Sequence, residues 1–502
     1  MSSSRSKDYY AAIDLGSNSF HMLVVRVVAG GVQVVSKIKR KVKLAEGLHG
    51  DSQLDSIAKA RAIECLQIFA DRVQDIDPSH IRAVGTATLR KVSHDKTFIE
   101  QCEQALGHRI DIISGDEEAA TIYQGIAHTT AFSQRMLVID IGGASTELVL
   151  GEGFQADVLN SLDMGCVTWY SRFFAAQQGK ISAAQCAAAV AAAREVVSEV
   201  VSQYPNAGGG LVLGASGTFK ALQEIAQARN TAQSFSLPWL YQLRDEAIRC
   251  GHHDSLDLKG LKSARRNVFV SGLCILIGLC ESLRIEQLQA TSGALREGVI
   301  YSLIMAEDTP QSDTDVQQRT LDAITATYHL DAEQSRRVEK TALTFYHQVS
   351  ASWQLPANSV ELIRAVSYLH ELGLSLAYKQ ASAHATYMVQ HLDMPGFSDM
   401  VRGQLVNLLA ATAGIIDDET DAAVSEALPM RHLERIIRLA VILCQRRSNE
   451  RMGSYQLSAA EESLHLAATT GFFQQNPFLT SLLLTEQEQL SPPETLSFAQ
   501  HV

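Results

Sequence analysis

The chain has 502 residues, 46% of them hydrophobic, with a formal net charge of −12 and eight cysteines. That length holds about three or four domains and more than one core. The acidic balance excludes a general nucleic-acid binder, which must neutralise many phosphates, but is compatible with a small, locally basic pocket for a phosphorylated substrate.

From the N-terminus, MSSSRSKDYY is polar, and no apolar signal-peptide core follows it. YYAAID then reads as a buried strand. It leads into Gly16-Ser17-Asn18-Ser19 and a new apolar run. The basic run Lys37 to Lys43 is either a solvated strand face or a rim that draws in polyanions; the sequence leaves both readings open. The hairpin pattern returns without a gap. Ile13–Val24 reads IDLGSNSFHMLV and Ile139–Leu150 reads IDIGGASTELVL. Either segment alone would be an ordinary hairpin, but unrelated hairpins rarely match over a dozen positions. The repeat implies two similar domains, 1–128 and 129–306, whose turns face a shared cleft.

The chemistry of those turns is that of phosphate binding. Gly16, Gly142 and Gly143 permit the tight turn, since Gly tolerates positive φ. A small-residue turn aims backbone N–H groups at phosphate oxygens, and Ser17, Asn18, Ser19 and Ser145 add side-chain donors. Asp14 and Asp140, at the strand ends, are placed to hold Mg²⁺ directly or through water. Further along, Ser216-Gly217-Thr218 and the run Ser292 to Gly298 each follow a strand-like segment and open a helix, where anions bind. No Walker A pattern is present. Between these loops, VFVSGLCILIGLC at 268–280 is too short to span a bilayer, which takes roughly 20 residues, and reads as a buried helix. With no Cys-x-x-Cys pair, and Cys274 and Cys280 in that run, the thiols are expected to be reduced and the protein cytoplasmic, with no membrane association.

After Ile304, AEDTPQSDTD reads as an acidic linker. Residues 316–447 have helical periodicity. From 448 to 502 the alternation in YQLSAAEESLHLAA suggests a small β-rich appendage.

Duplicated strand–turn–strand phosphate motifs resemble the actin, Hsp70 and sugar-kinase superfamily. AAIDLGSNSFHMLVVR, VGTATLR, IISGDEEAATIYQG, VIDIGGASTELV, MGCVTW, GASGT and GALREG resemble one branch of it, the exopolyphosphatase/guanosine pentaphosphate phosphohydrolase family. The implied fold is α/β, two actin-like domains followed by an α-helical HD-like domain and the C-terminal appendage. Ala144, where exopolyphosphatases usually carry a third Gly, together with MLVVR, TATLR and CVTW, is similar to the guanosine pentaphosphate branch. That branch implies a Mg²⁺-dependent hydrolase (Mn²⁺ substituting) converting pppGpp to ppGpp and phosphate in the stringent response. Exopolyphosphatase activity and a non-catalytic alarmone-binding regulator are the alternatives.

The resemblance places Glu118 as the catalytic glutamate that orients or deprotonates water, with Glu117 its rival on sequence alone. Glu147 is the second carboxylate, for metal or water; the aligned position in the first copy is His21. Arg90 resembles the phosphate-contacting arginine. Gly143 and Ala144 complete the second phosphate turn, and Arg265 and Arg296 are further candidates for substrate contact. YLHELG and the following His384 resemble an HD-type metal site, but the pair is His370-Glu371 rather than His-Asp. A decayed site serving binding and homodimer contacts is expected there.

Overall fold

The computed structural model describes residues 8–49, 53–131, 135–231, 234–306, 315–415, 427–448, 455–490 and 492–500. Most of the expected acidic linker, at 307–314, lies outside them, as do the first seven residues. The chain forms two compact units, residues 1–27 with 32–316, and residues 28–31 with 317–502.

The first unit holds two sheets of matching design. In the first, strands Gly31–Lys41, Ser19–Val28, Tyr9–Leu15, Ile81–Gly85 and Ile110–Ile112 lie in that order. Tyr9–Leu15 runs antiparallel to Ser19–Val28 and parallel to Ile81–Gly85. In the second, Gln155–Leu162, Thr146–Glu152, Arg135–Ile141, Leu211–Ala215, Gln287–Ala290 and Ser234–Ser236 repeat the plan. Arg135–Ile141 is antiparallel to its hairpin partner and parallel to Leu211–Ala215. The duplicated sequence is thus a duplicated topology.

The central strands bury side chains on both faces, so Tyr9–Leu15 and Arg135–Ile141 are apolar over most of their length, with Asp14 and Asp140 near their ends. Along the first strand, Ala11, Ile13 and Leu15 enter one core with helices Ser56–Val73 and Lys96–Leu106, while Tyr10 and Ala12 enter another. That second core also holds Met136, Val138 and Val149 of the other sheet. Helices Gly115–Ala127 and Leu295–Met305 fill it, contributing Ile122, Ile126, Val299 and Ile300. They cross at glycines. A Cβ on Gly298 would sit 1.9 Å from the Thr121 carbonyl oxygen, and one on Gly125 would sit 2.1 Å from that of Ala294. This close crossing places Glu118 and Arg296, one on each helix, beside the hairpin turns. The apolar run 268–280 lies in helix Arg266–Leu283, long and apolar enough by length and composition to cross a membrane; 72% of its most apolar window is buried, within the core of the second sheet.

In the second unit, helices Ala332–Val349, Ser359–Leu369, Ala381–His391, Asp399–Ala410 and Leu428–Cys444 enclose one core. Strands Tyr455–Ala460, Ser463–Ala468 and Thr495–Gln500 form a three-stranded sheet. Leu457, Leu464, Leu466 and Leu496 from that sheet belong to the helical core. The division drawn at 447/448 therefore does not correspond to a break in packing: the β-rich segment is a wall of the helical unit.

Candidate active site

The hairpin registers set the floor of the site. Asp14 pairs with His21 and Asp140 with Glu147 in their antiparallel ladders, so each turn carries its acid at the strand end. The glycines serve the turns by close approach rather than by conformation. Neither Gly16, Gly142 nor Gly143 has a positive φ, so the tolerance read from sequence is not what these turns use. A Cβ on Gly142 would instead lie 3.0 Å from the Ser145 carbonyl oxygen, and one on Gly16 3.1 Å from that of Ser19.

Four carboxylates gather here. Burial pushes Asp140 up to about 7, Glu118 adds to the push, and the Ser216 hydroxyl and Arg296 oppose it. Asp14 is also pushed up to about 7, first by burial; Arg296 opposes, while Glu118, Asp140 and Glu297 reinforce. Glu147, 1% exposed, is held well above the usual carboxylate range by burial, Glu118 and Asp140, although the Ser145 and Ser161 hydroxyls donate to it. Burial likewise raises Glu118 against the pull of Arg90.

Glu118 sits in the first turn of helix Gly115–Ala127, which Ser114 caps by accepting from the Glu117 N–H at 3.1 Å. Arg90 Nη1 donates to Glu118 Oε2 at 2.7 Å and to the Ile113 carbonyl at 3.0 Å. The rival, Glu117, is exposed and paired with Arg82 at 3.1 Å. A cavity of about 490 Å³ opens beside these groups, lined by Arg90, Lys91, Ser145, Ser161 and the Ser114-Gly115 helix start. The helix N-terminus, Arg90 and Lys91 favour an anion in this cavity, whose wall also carries Asp116 and Asp163.

The other predicted residues divide. Ser17 accepts from Thr88 Oγ1 at 2.7 Å, whereas the buried Ser19 hydroxyl has no partner among the described residues. The Asn18 carbonyl accepts from the Lys43 N–H at 2.9 Å. Gly143 packs against Ser17, bringing the two turns together. Ser216, at φ 77°, holds a strained backbone and donates to the Ile141 carbonyl at 2.8 Å. The Gly217 carbonyl is taken by Arg265, and Thr218 is buried against Gly272. Arg265 and Arg296 join Lys39 and Lys220 around His21. Burial first, and then these cations, lower His21 to about 3, so it is neutral. Lys39 is lowered to about 8 by desolvation and by Arg265, Arg296, Lys220 and Lys41. Lys220, Lys91 and Ser161 carried no signal in the sequence. Helix placement and strand register bring them here from outside the motifs.

The carboxylate oxygens are the donor type of a hard divalent cation. Among the described residues no three His, Cys, Asp or Glu side chains are spaced to close on one ion. The cluster therefore suits a cation that takes one or two carboxylates and completes its shell with water and phosphate oxygens.

The HD-like pair makes contacts within the helical unit. His370 is buried, with Nδ1 2.8 Å from the Ser367 carbonyl oxygen. Glu371 is paired with Arg447, which also donates to Asp331 at 3.0 Å.

The model of the Ppx/GppA phosphatase family matches residues 23–307, and that of Ppx/GppA phosphatase domain III matches 316–487. The chain is 44% identical over 484 residues to a guanosine-5′-triphosphate,3′-diphosphate pyrophosphatase of Aeromonas salmonicida, covering 96% of each chain. It is 41% identical over 486 residues to one of Pseudoalteromonas translucida, again covering 96% of each. Among solved structures, an exopolyphosphatase from Cytophaga hutchinsonii superposes with a TM-score of 0.53 at 22% identity, covering 59% of this chain and 98% of that one. The Aquifex aeolicus member of the Ppx/GppA family gives 0.51 at 20%, covering 60% and 98%. The two structures show a shared fold.

Proposed function

The chain belongs to the Ppx/GppA phosphatase family, and from that premise we propose that it hydrolyses the 5′-terminal phosphate of guanosine pentaphosphate, giving ppGpp and phosphate. The observation that carries the reading is the buried Glu118 and Glu147 beside a cavity ringed by helix N–H groups and Arg90.

Phosphoryl transfer needs an in-line water, charge neutralisation and positioning. In this scheme the terminal phosphate rests against the hairpin turns and the helix start. Glu118, made more basic by burial, takes the proton of a water as its oxygen bonds to phosphorus. The bridging P–O bond breaks and its electron pair leaves on the penultimate phosphate. Arg90 keeps Glu118 in place. One or two of Asp14, Asp140 and Glu147 would hold Mg²⁺ or Mn²⁺, with water and phosphate oxygens completing its shell, and the ion would neutralise phosphate charge. The reading includes a cytoplasmic homodimer.

Hydrolysis of inorganic polyphosphate is the second reading, favoured by the cations gathered around His21. A purely binding role is disfavoured, because four buried acids repel a polyanion that nothing cleaves. Phosphate release from pppGpp and from long-chain polyphosphate, with kcat/KM for each, tests the assignment. Activity should vanish with EDTA and return with Mg²⁺. Greater kcat/KM for polyphosphate would reverse the order of the two readings.

A further inference from the structure

A second cavity, of about 390 Å³, adjoins the first. Lys91 lines both, and the second turn divides between them: Ser145 faces the first cavity and Ala144 the second. The walls of the second are of mixed character. Leu48, Val167 and Ala144 are apolar, while Lys91 and Arg172 bring two cations. Thr88 and Thr168 are already engaged, donating to Ser17 Oγ at 2.7 Å and to the Gly165 carbonyl at 3.0 Å. The Arg172 guanidinium lies over Trp169 and Phe173, 5.6 and 5.1 Å from their ring centroids, and among the described residues no carboxylate pairs with it.

An inorganic phosphate chain is anionic throughout and gains nothing from apolar walls. A nucleotide has a base and a sugar to place against them, and phosphates at more than one position. Resting on the nucleotide reading above, we propose that the second cavity receives the nucleoside part of the substrate. Base and sugar lie against Leu48, Val167 and Ala144, and Arg172 with Lys91 binds the phosphates on the sugar's other hydroxyl. The chain to be cut continues past Lys91 into the first cavity. The volume is within the roughly 300–1,000 Å³ of small-molecule sites. Lys91 is tied to Asp163 at 2.8 Å, and both side chains are accessible, so arriving phosphates take over that partner.

Titration calorimetry on the full chain, with ppGpp and with inorganic tripolyphosphate as probes, tests the assignment. Arg172→Gln should raise the Kd for ppGpp about tenfold, the loss of one charge-assisted contact, and leave tripolyphosphate within about twofold. Ser171→Trp, an exposed position on the cavity wall, should block ppGpp and spare tripolyphosphate. Arg172 is exposed too, and unchanged thermal midpoints verify the fold of both variants. Equal weakening of both probes, or unchanged ppGpp binding in both variants, overturns the assignment. A wild-type chain that binds tripolyphosphate but not ppGpp would instead overturn the nucleotide reading itself.

Discussion

In the first unit, Asp14, Asp140, Glu118 and Glu147 lie within reach of one another's fields, and two of them sit near 7. In the second unit, Arg438 grips Glu486 through two bonds, at 2.8 and 2.6 Å, and also donates to the Ala413 carbonyl at 3.0 Å. Both units bury charge; the first gathers four acids in one cluster, whereas this pair of the second is satisfied. Buried ions are normally paired because desolvation penalises them heavily. A cluster kept short of counter-charge is therefore built for something that arrives later, and a satisfied pair is built for the fold. By that criterion the proposed chemistry falls to the hairpin cleft, and the Arg438–Glu486 pair serves the fold.

The contrast breaks first at Glu118. Glu118→Gln should lower kcat by about 10²–10⁴-fold, the usual loss on removing a general base. Binding of ppGpp should survive, because no phosphate donor is removed. Glu117→Gln should stay near wild type, since that carboxylate is exposed and held by Arg82. The reverse pattern in kcat would move the catalytic base by one residue. In the second unit the corresponding loss should be one of stability. Arg438→Ala strands a buried Glu486 and should destabilise that unit by about 3–5 kcal/mol. Replacing both partners by Met and Leu should recover most of this, as read by denaturant unfolding.

Much of this contrast was legible in the sequence. The ungapped repeat foretold two sheets of one topology, and Glu118 and Arg90 came from motif resemblance. The turn glycines were found for the wrong reason: the backbone there needs room for a neighbouring carbonyl, not a positive φ. Ser161 reaches Glu147 only because the third strand of the meander pairs it there. Lys220 and Arg172 depend on how helices seat against the sheets. Such contacts are non-local, and no short window of sequence contains both partners. The packing of the β-rich C-terminal segment was hidden for a related reason: alternation announced strands but could not say whose core their apolar side would join.

A smaller effect separates the units by pH. Asp140 is raised to about 7 in the fold, from an ordinary value near 3.8. Between those values the folded chain binds more protons than the unfolded one, so this group's contribution to stability falls as pH rises. The penalty is absent below about 4 and complete above about 7. Without divalent cation, Asp140→Asn should therefore melt a few degrees above wild type at pH 8, with the gap closing toward pH 4. Added Mg²⁺ should stabilise the wild type more than the variant, by mass action. A pH-independent gap would show that Asp140 ionises freely in the fold.

The smallest effect is expected at His370. Its ring is buried and lowered from its ordinary range, chiefly by that burial, and Nδ1 is engaged by the Ser367 carbonyl. The adjoining Glu371 is held by Arg447, so a guanidinium occupies the carboxylate that an HD-type site would offer to a metal. His370→Gln should cost some stability through imperfect packing in a full core. Its kcat and KM on pppGpp, measured well below the melting transition, should remain within about twofold of wild type, and so should the Mg²⁺ concentration for half-maximal activity. Arg447→Gln sharpens the test, because it frees Glu371 without touching the hairpin cleft. If the freed acid together with His370 then recruits a metal and adds a second hydrolytic activity, the guanidinium is masking an intact centre. If Arg447→Gln changes only stability, the helical unit's charges serve the fold. A large loss of kcat in folded His370→Gln would place essential chemistry in the helical unit.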